Sequence, residues 1–118
     1  MTKRELIDFC LELPQSYEDY PFDDVTPVIR HEANKKMFAL VGETCGRLSV
    51  SLKCDPFEAD ILRQIFADVN PGYHFNKTHW NTVTLGGDVP IEEVKRQIES
   101  SYNLIRPKIS KRKRDDSE

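Results

Sequence analysis

The fold is most clearly encoded in the stretch FNKTHWNTVTLGG, residues 75–87. Apolar and polar side chains alternate through its second half, with Val83 and Leu85 on one side and Trp80, Thr82 and Thr84 on the other. A period of two is typical of a strand that has one buried face and one face in water. Residues 76–79 supply a polar turn before that strand. The stretch therefore predicts a hairpin with strands at about 73–76 and 80–86.

Three further strands are predicted upstream, at about 26–31, 36–42 and 47–53. The segments between them, 32–35 and 42–46, are polar and have the length of hairpin turns. The strand at 47–53 alternates clearly: Leu48, Val50 and Leu52 point one way, and Arg47, Ser49, Ser51 and Lys53 point the other. The acidic segment 15–25 favours neither helix nor strand, and we expect an ordered loop pinned to the core by Tyr17, Tyr20 and Phe22.

Three helices are predicted from capping and periodicity. Thr2 and Glu5 form a capping box, and Pro14 ends the helix that follows. Asp55 and Pro56 have the residue types of an N-cap and a first helical position. The expected buried stripe of this second helix is Ile61, Leu62, Ile65, Phe66 and Val69. The last helix opens at Asp88-Val89-Pro90, and its stripe is Ile91, Val94, Ile98, Tyr102 and Ile105.

The predicted order is α-β-β-β-α-β-β-α, an α+β fold. Antiparallel strands with one apolar face and helices with single apolar stripes make a two-layer sandwich, in which the helices cover one face of the sheet. The chain of 118 residues has room for one domain. We place that domain at 1–106 and a flexible tail, basic and then acidic, at 107–118.

Composition limits the class of protein. Hydrophobic residues make up 38% of the chain and charged residues 31%, as in water-soluble globular proteins. No apolar run is long enough for a membrane span or a signal peptide, so the expectation is a cytoplasmic protein. The net charge of −3 is uneven: residues 108–114 carry five bases and no acid. Residues 1–107 are acidic overall, so nucleic-acid binding would require a local basic patch.

The uncovered face of the sheet is the first candidate site. It carries hydroxyl groups, cations and an aromatic ring, which are the groups that meet phosphates and stack on bases. The hairpin turns add lysines at their tips. The candidate nucleic-acid-binding residues are Lys36, Arg47, Lys53, Asn76, Lys77, His79, Trp80 and Thr82. The alternative is that a sheet with one wet face is polar there whatever its function.

Metal binding and catalysis find little support in the sequence. His74 and His79 lack further ligands at the spacing of a zinc site. The three cysteines fit neither a pairing nor a metal pattern and are expected to be reduced structural thiols. No nucleophile elbow or phosphate-binding glycine loop is present. We therefore predict no metal, no cofactor and no enzymatic activity.

The same residues resemble the small bacterial MmcQ/YjbR family. The resemblance spans residues 1–106 and rests on three segments: NKxHWxTVxLxG at 76–87, VSLK at 50–53, and Ser101-Tyr102. It implies a CyaY-like (frataxin-type) fold and a DNA-binding role through a double-wing arrangement. The matching wing residues here are Asn76, Lys77, His79, Trp80 and Thr82, with Lys53 on the adjoining strand.

The functional hypothesis is thus a bacterial, non-enzymatic, monomeric module that binds DNA weakly through its backbone. The open sheet face and the hairpin tips would make the contacts. The alternative hypothesis is a protein-interaction or small-ligand-binding module that uses the same surface, with Trp80 as its apolar anchor.

Overall fold

The structure, a computed structural model, describes residues 1–72 and 75–107. The helices are α1 (Lys3–Leu11), α2 (Pro56–Ile65) and α3 (Ile91–Ile105). The strands are β1 (Ser16–Asp19), β2 (Val28–His31), β3 (Met37–Thr44), β4 (Arg47–Lys53), β5 (Val69–Pro71) and β6 (Trp80–Thr84). Most of the tail predicted at 107–118 lies outside the described residues.

All six strands form one antiparallel sheet in the order β1-β2-β3-β4-β6-β5. The three helices pack on one face of it, and the core between the layers includes Leu6, Val50, Val83 and Ile98. The predicted α+β class, with helices on a single face, is confirmed. None of the helices in the described ranges has the length and apolar character that crossing a bilayer requires.

The capping predictions for the first two helices are correct. The Thr2 hydroxyl accepts from the Glu5 amide, and the Glu5 carboxylate accepts from the Thr2 amide at 2.8 Å. Asp55 caps α2 by accepting from the amides of Phe57 and Glu58. The last helix begins at Ile91, directly after the predicted opening Asp88-Val89-Pro90; Pro90 is its N-cap and makes no side-chain capping bond.

Strand β1 lies within the segment 15–25, for which the sequence predicts a loop. It pairs with β2 from Ser16 opposite His31 to Asp19 opposite Val28. Its four side chains are all half-buried, so the edge strand shows no apolar alternation and only its backbone pairing defines it. Tyr20 and Phe22, expected to pin this segment, are exposed.

Helix α2 is shorter than predicted, and a different face of it is buried. Its C-cap Phe66 already has extended backbone angles, φ −117° and ψ 126°. Ala59 and Leu62 are its buried residues, whereas Ile65 is 62% exposed. Ile61, also expected in the core, is exposed too. The early end moves Val69 into β5, which begins four residues before the predicted strand at 73–76.

A serine hydroxyl joins α3 to the two central strands. Ser101 is completely buried; its Oγ accepts from the Lys53 amide at 2.9 Å and donates to the Phe38 carbonyl at 2.6 Å. The last paired rung between β3 and β4 is Ala39 opposite Leu52. Phe38 and Lys53 would form the next rung, so the hydroxyl is inserted where a direct backbone bond would otherwise lie.

Replacing Ser101 with alanine should destabilise the protein by about 1–3 kcal/mol, because it leaves a buried carbonyl and a partly buried amide without partners. Urea unfolding followed by circular dichroism measures this. Ser100→Ala is the matched control, since Ser100 is only half-buried and no hydrogen bond of its side chain to another described residue is observed. Equal stabilities for the two variants would contradict the role given to the Ser101 hydroxyl.

Candidate functional site

The predicted site residues lie at two ends of the sheet. The start of β3, the end of β4 and the start of β6 share one end because these strands are antiparallel. Lys36, Lys53, Lys77 and His79 therefore lie at the same end, with the two hairpin tips. Arg47 begins β4 at the opposite end, six residues from Lys53, or about 20 Å along the strand.

The turn before β6 is shaped by Asn76. Its side-chain oxygen accepts from the Thr78 amide at 2.9 Å, and its carbonyl accepts from the His79 amide at 3.0 Å. The His79 carbonyl in turn accepts from the Cys54 amide at 2.7 Å. These bonds fix the tip relative to the end of β4 and leave Lys77 exposed.

Arg63 on α2 holds the same tip from the helix side. Its guanidinium donates to the carbonyls of Lys77 and Trp80 and, at 2.6 Å, to Asn81 Oδ1. Asn81 Nδ2 donates back to the Ala59 carbonyl on α2. Arg63 is not among the residues predicted from the sequence, because its partners lie 14 to 18 residues away and no local pattern links them.

Trp80 is half-buried and stacked on Phe75. The two ring centroids are 4.7 Å apart and the planes are inclined by 24°. Behind them, a Cβ added at Gly72 would lie 3.0 Å from the Trp80 Cβ, so the backbone at Gly72 approaches the tryptophan as closely as a glycine allows. One face of the indole is thus occupied by Phe75.

The Arg47 side chain is engaged in contacts within the fold. Its guanidinium pairs with the Asp68 carboxylate at 2.9 Å and donates to the Leu85 carbonyl. This hydrogen bond lowers the pKa of Asp68. Asp88, expected at the start of the last helix, accepts from the amides of Ala67 and Asp68 instead.

The other predicted face residues form the floor of a concavity. The Ser51 and Thr82 hydroxyls bond to each other across β4 and β6 at 2.8 Å. Ser49 and Thr84, expected to stand in open water, are each 4% exposed. The predicted wet face is therefore recessed, since the segments on either side of the sheet rise above it.

Metal-binding and nucleophilic groups are not assembled in the described part of the chain. No group of three or more His, Cys, Asp or Glu side chains there has the geometry to hold a metal ion. The three cysteines are free thiols. Burial raises the pKa of Cys10 to about 12 and that of Cys54 to about 11, so both remain protonated at neutral pH.

A family model described as YjbR matches residues 11–104. The chain belongs to the YjbR family. The uncharacterized protein YjbR of Escherichia coli K12 is 37% identical over 102 residues, which cover 86% of this chain and 85% of that protein. The uncharacterized protein YyaQ of Bacillus subtilis is 28% identical over 118 residues and is covered over 99% of its length.

Solved structures of similar proteins agree with the architecture. The crystal structure of the Deinococcus radiodurans protein DR2400 superposes with a TM-score of 0.79 at 43% identity, covering 88% of this chain and 78% of that one. A Pseudomonas syringae protein superposes with a TM-score of 0.78 at 30% identity, covering 90% of this chain and 100% of that one. Family and fold follow from these matches, whereas function has to be argued from the site.

Removing the Arg63 clamp by Arg63→Ala should release the β6 tip and cost about 1–3 kcal/mol, because Asn81 Oδ1 is buried and loses a charged donor. Hydrogen exchange at the amides of 75–80 should accelerate more than exchange in β3. Gln64→Ala is the control, since Gln64 is exposed and, among the described residues, its side chain bonds only to Asp60. Unchanged protection at the tip would show that Arg63 does not hold it.

The signature Gly87 is required by the Arg47–Asp68 pair. A Cβ there would overlap Asp68 Oδ2 and lie 2.6 Å from Arg47 Nη2. Gly87→Ala should therefore lower the midpoint of urea unfolding, whereas Gly42→Ala, whose Cβ would have its nearest neighbour at 3.7 Å, should change it little.

The Gly87→Ala defect should also depend on pH. The Asp68 pKa is lower in the folded protein, so its pairing stabilises the fold above the unfolded value of about 3.9 and is lost as pH falls through the folded value. The difference in the free energy of unfolding between wild type and Gly87→Ala should become smaller below about pH 4. A difference that stays constant into acid would exclude the ion pair as its cause.

Proposed function

We propose that the protein is a non-enzymatic module that binds the DNA backbone with one end of its sheet, the two hairpin tips acting as wings. The observation that supports this is the convergence of basic side chains from separate segments. We call this set the basic end: Lys35 and Lys36 before β3, Lys53 at the end of β4, Lys77 before β6, and Arg106 after α3.

The position of Arg106 in this set follows from a hydrogen bond. The Asn34 side-chain amide, in the turn between β2 and β3, donates to the Ile105 carbonyl at 2.8 Å. The C-terminus of α3 is thereby fixed beside the β2–β3 tip. In sequence the five bases of 108–114 follow immediately, so the chain continues from the basic end with more positive charge.

Several acidic side chains lie away from the basic end, although Asp60 on α2 borders the same surface depression as Lys77. Asp23, Glu43, Asp68 and Asp88 lie toward the opposite end of the sheet, where the β1–β2 and β3–β4 connections are. Glu32 lies in the β2–β3 turn, and Asp55 nearby uses its carboxylate to cap α2. The overall negative charge therefore does not fall evenly on the surface, and a phosphate backbone is attracted to one end.

The proposed contacts divide by chemistry. Lys36, Lys53 and Lys77 would meet phosphates, and His79 with the exposed edge of Trp80 would lie against sugar or base. Asn76 would act by shaping the tip. We leave Arg47 and Thr82 out of the contact set, because the first is paired with Asp68 and the second with Ser51.

The double variant Lys36→Ala/Lys77→Ala should weaken binding to a short duplex by a similar factor for every sequence. It should also reduce the slope of log K against log salt by about 0.9 for each phosphate that the variant no longer neutralises. Fluorescence anisotropy over a salt series measures both quantities. Lys3→Ala/Lys95→Ala is the matched control, since it removes the same charge outside the basic end.

Two outcomes would contradict the proposal: no binding by the intact chain at low salt, or equal losses of affinity in the two double variants. Binding of a protein partner that disappears in Trp80→Ala and is insensitive to salt would instead favour the alternative role for the same surface.

A further inference from the structure

The recessed face of the sheet forms a second, separate feature, which we call the sheet groove. It has a volume of about 790 Å³. Its floor is built from β3, β4 and β6, and it is bordered by Phe22 of the β1–β2 connection and by Phe75 before β6. This volume falls within the range of small-molecule sites in proteins.

Gly42 lies in the floor of the groove and leaves open space above it. It lies inside β3, its backbone is not in the left-handed region, and an added Cβ would meet only Leu40 Cδ2, at 3.7 Å. Neither backbone conformation nor protein packing therefore requires a glycine. A glycine inside a strand often marks a position that a ligand approaches closely.

The floor offers hydrogen-bonding groups that the protein does not use. Ser51 and Thr82 bond to each other, but within the described residues no bond of the Ser49 or Thr84 hydroxyl to a protein group is observed. Hydroxyl groups both donate and accept. Phe22, which is 65% exposed although it is large and apolar, supplies a ring at the border.

The charge of the groove excludes anions. Among the described residues that line it, Asp23 and Glu43 are acidic and none is basic. Asp23 accepts from the amides of Val25 and Thr26 at 2.9 and 2.6 Å, bonds that stabilise its charged form. The nearest guanidinium on β4, that of Arg47, is turned to Asp68. Among the described residues of the lining, a phosphate or carboxylate would find no positive partner.

We propose that the sheet groove binds a small, neutral or cationic aromatic molecule. Its ring would pack against the phenylalanines at the border, and its amine or amide would bond to the free hydroxyls of the floor and face the two carboxylates. This site is independent of the basic end and takes a ligand of opposite charge preference to DNA.

The test uses three probes with the same ring and different head groups: tyramine, 4-hydroxyphenylacetamide and 4-hydroxyphenylacetate. Each is titrated into the full-length chain and followed by amide chemical shifts. Saturable shifts at Ser49, Thr82 and Thr84 are expected for the amine and the amide. The carboxylate should bind at least about tenfold more weakly, a difference of about 1.4 kcal/mol.

Two variants locate the binding. Gly42→Leu fills the groove and should abolish the chemical-shift changes. Thr84→Val removes one hydroxyl while keeping the side-chain shape, and it should weaken binding several-fold. The second variant provides the test if Gly42→Leu does not fold. Ile61→Ser, on the exposed surface of α2, is the control and should bind as wild type does.

The proposal is overturned if none of the probes gives saturable shifts at the floor residues at millimolar concentration. It is also overturned if the carboxylate binds as tightly as the amine, or if Thr84→Val binds unchanged. Because the DNA titration uses other residues and another ligand, its outcome is separate from these.

Discussion

The hydroxyl of Ser101 holds α3 to the two central strands at the basic end of the sheet. By occupying the rung between Phe38 and Lys53, it ends the direct pairing of β3 and β4 and attaches α3 at that point. The β2–β3 tip and the end of β4 then lie on either side of the Ser101 hydroxyl, which belongs to α3. A direct backbone bond would continue the sheet but would give α3 no polar connection to it.

The sequence predicts those elements whose burial differs strongly between their two sides. Strand β4 was predicted over its full length because its apolar and polar residues alternate. Both capping predictions at α1 and α2 hold because N-caps are local chemistry. Strand β1 and the buried face of α2 depend on contacts distant in sequence, so neither periodicity nor propensity reveals them.

The features of the candidate site also divide into those that local sequence predicts and those that depend on contacts distant in sequence. Lys77 joins Lys36 and Lys53 because β6 pairs with β4. That Lys36 and Lys53 lie together could be foreseen from the β3–β4 hairpin. The pairing of Arg47 with Asp68, the Arg63 clamp and the recessed floor could not, because each joins segments that only the fold brings together. Residues of the family pattern such as Asn76, Gly87 and Ser101 stabilise local structure. The pattern is therefore more direct evidence for the fold than for a ligand.

The stack of Phe75 on Trp80 lies between the two proposed sites. Phe75 borders the sheet groove, while the Trp80 carbonyl is held by Arg63 at the base of the tip. Since Trp80 is the sole tryptophan in the chain, all indole emission comes from this junction. The protein thus carries one indole fluorophore whose environment is shared by the tip and the groove, so the two occupancies can be followed in the unlabelled molecule.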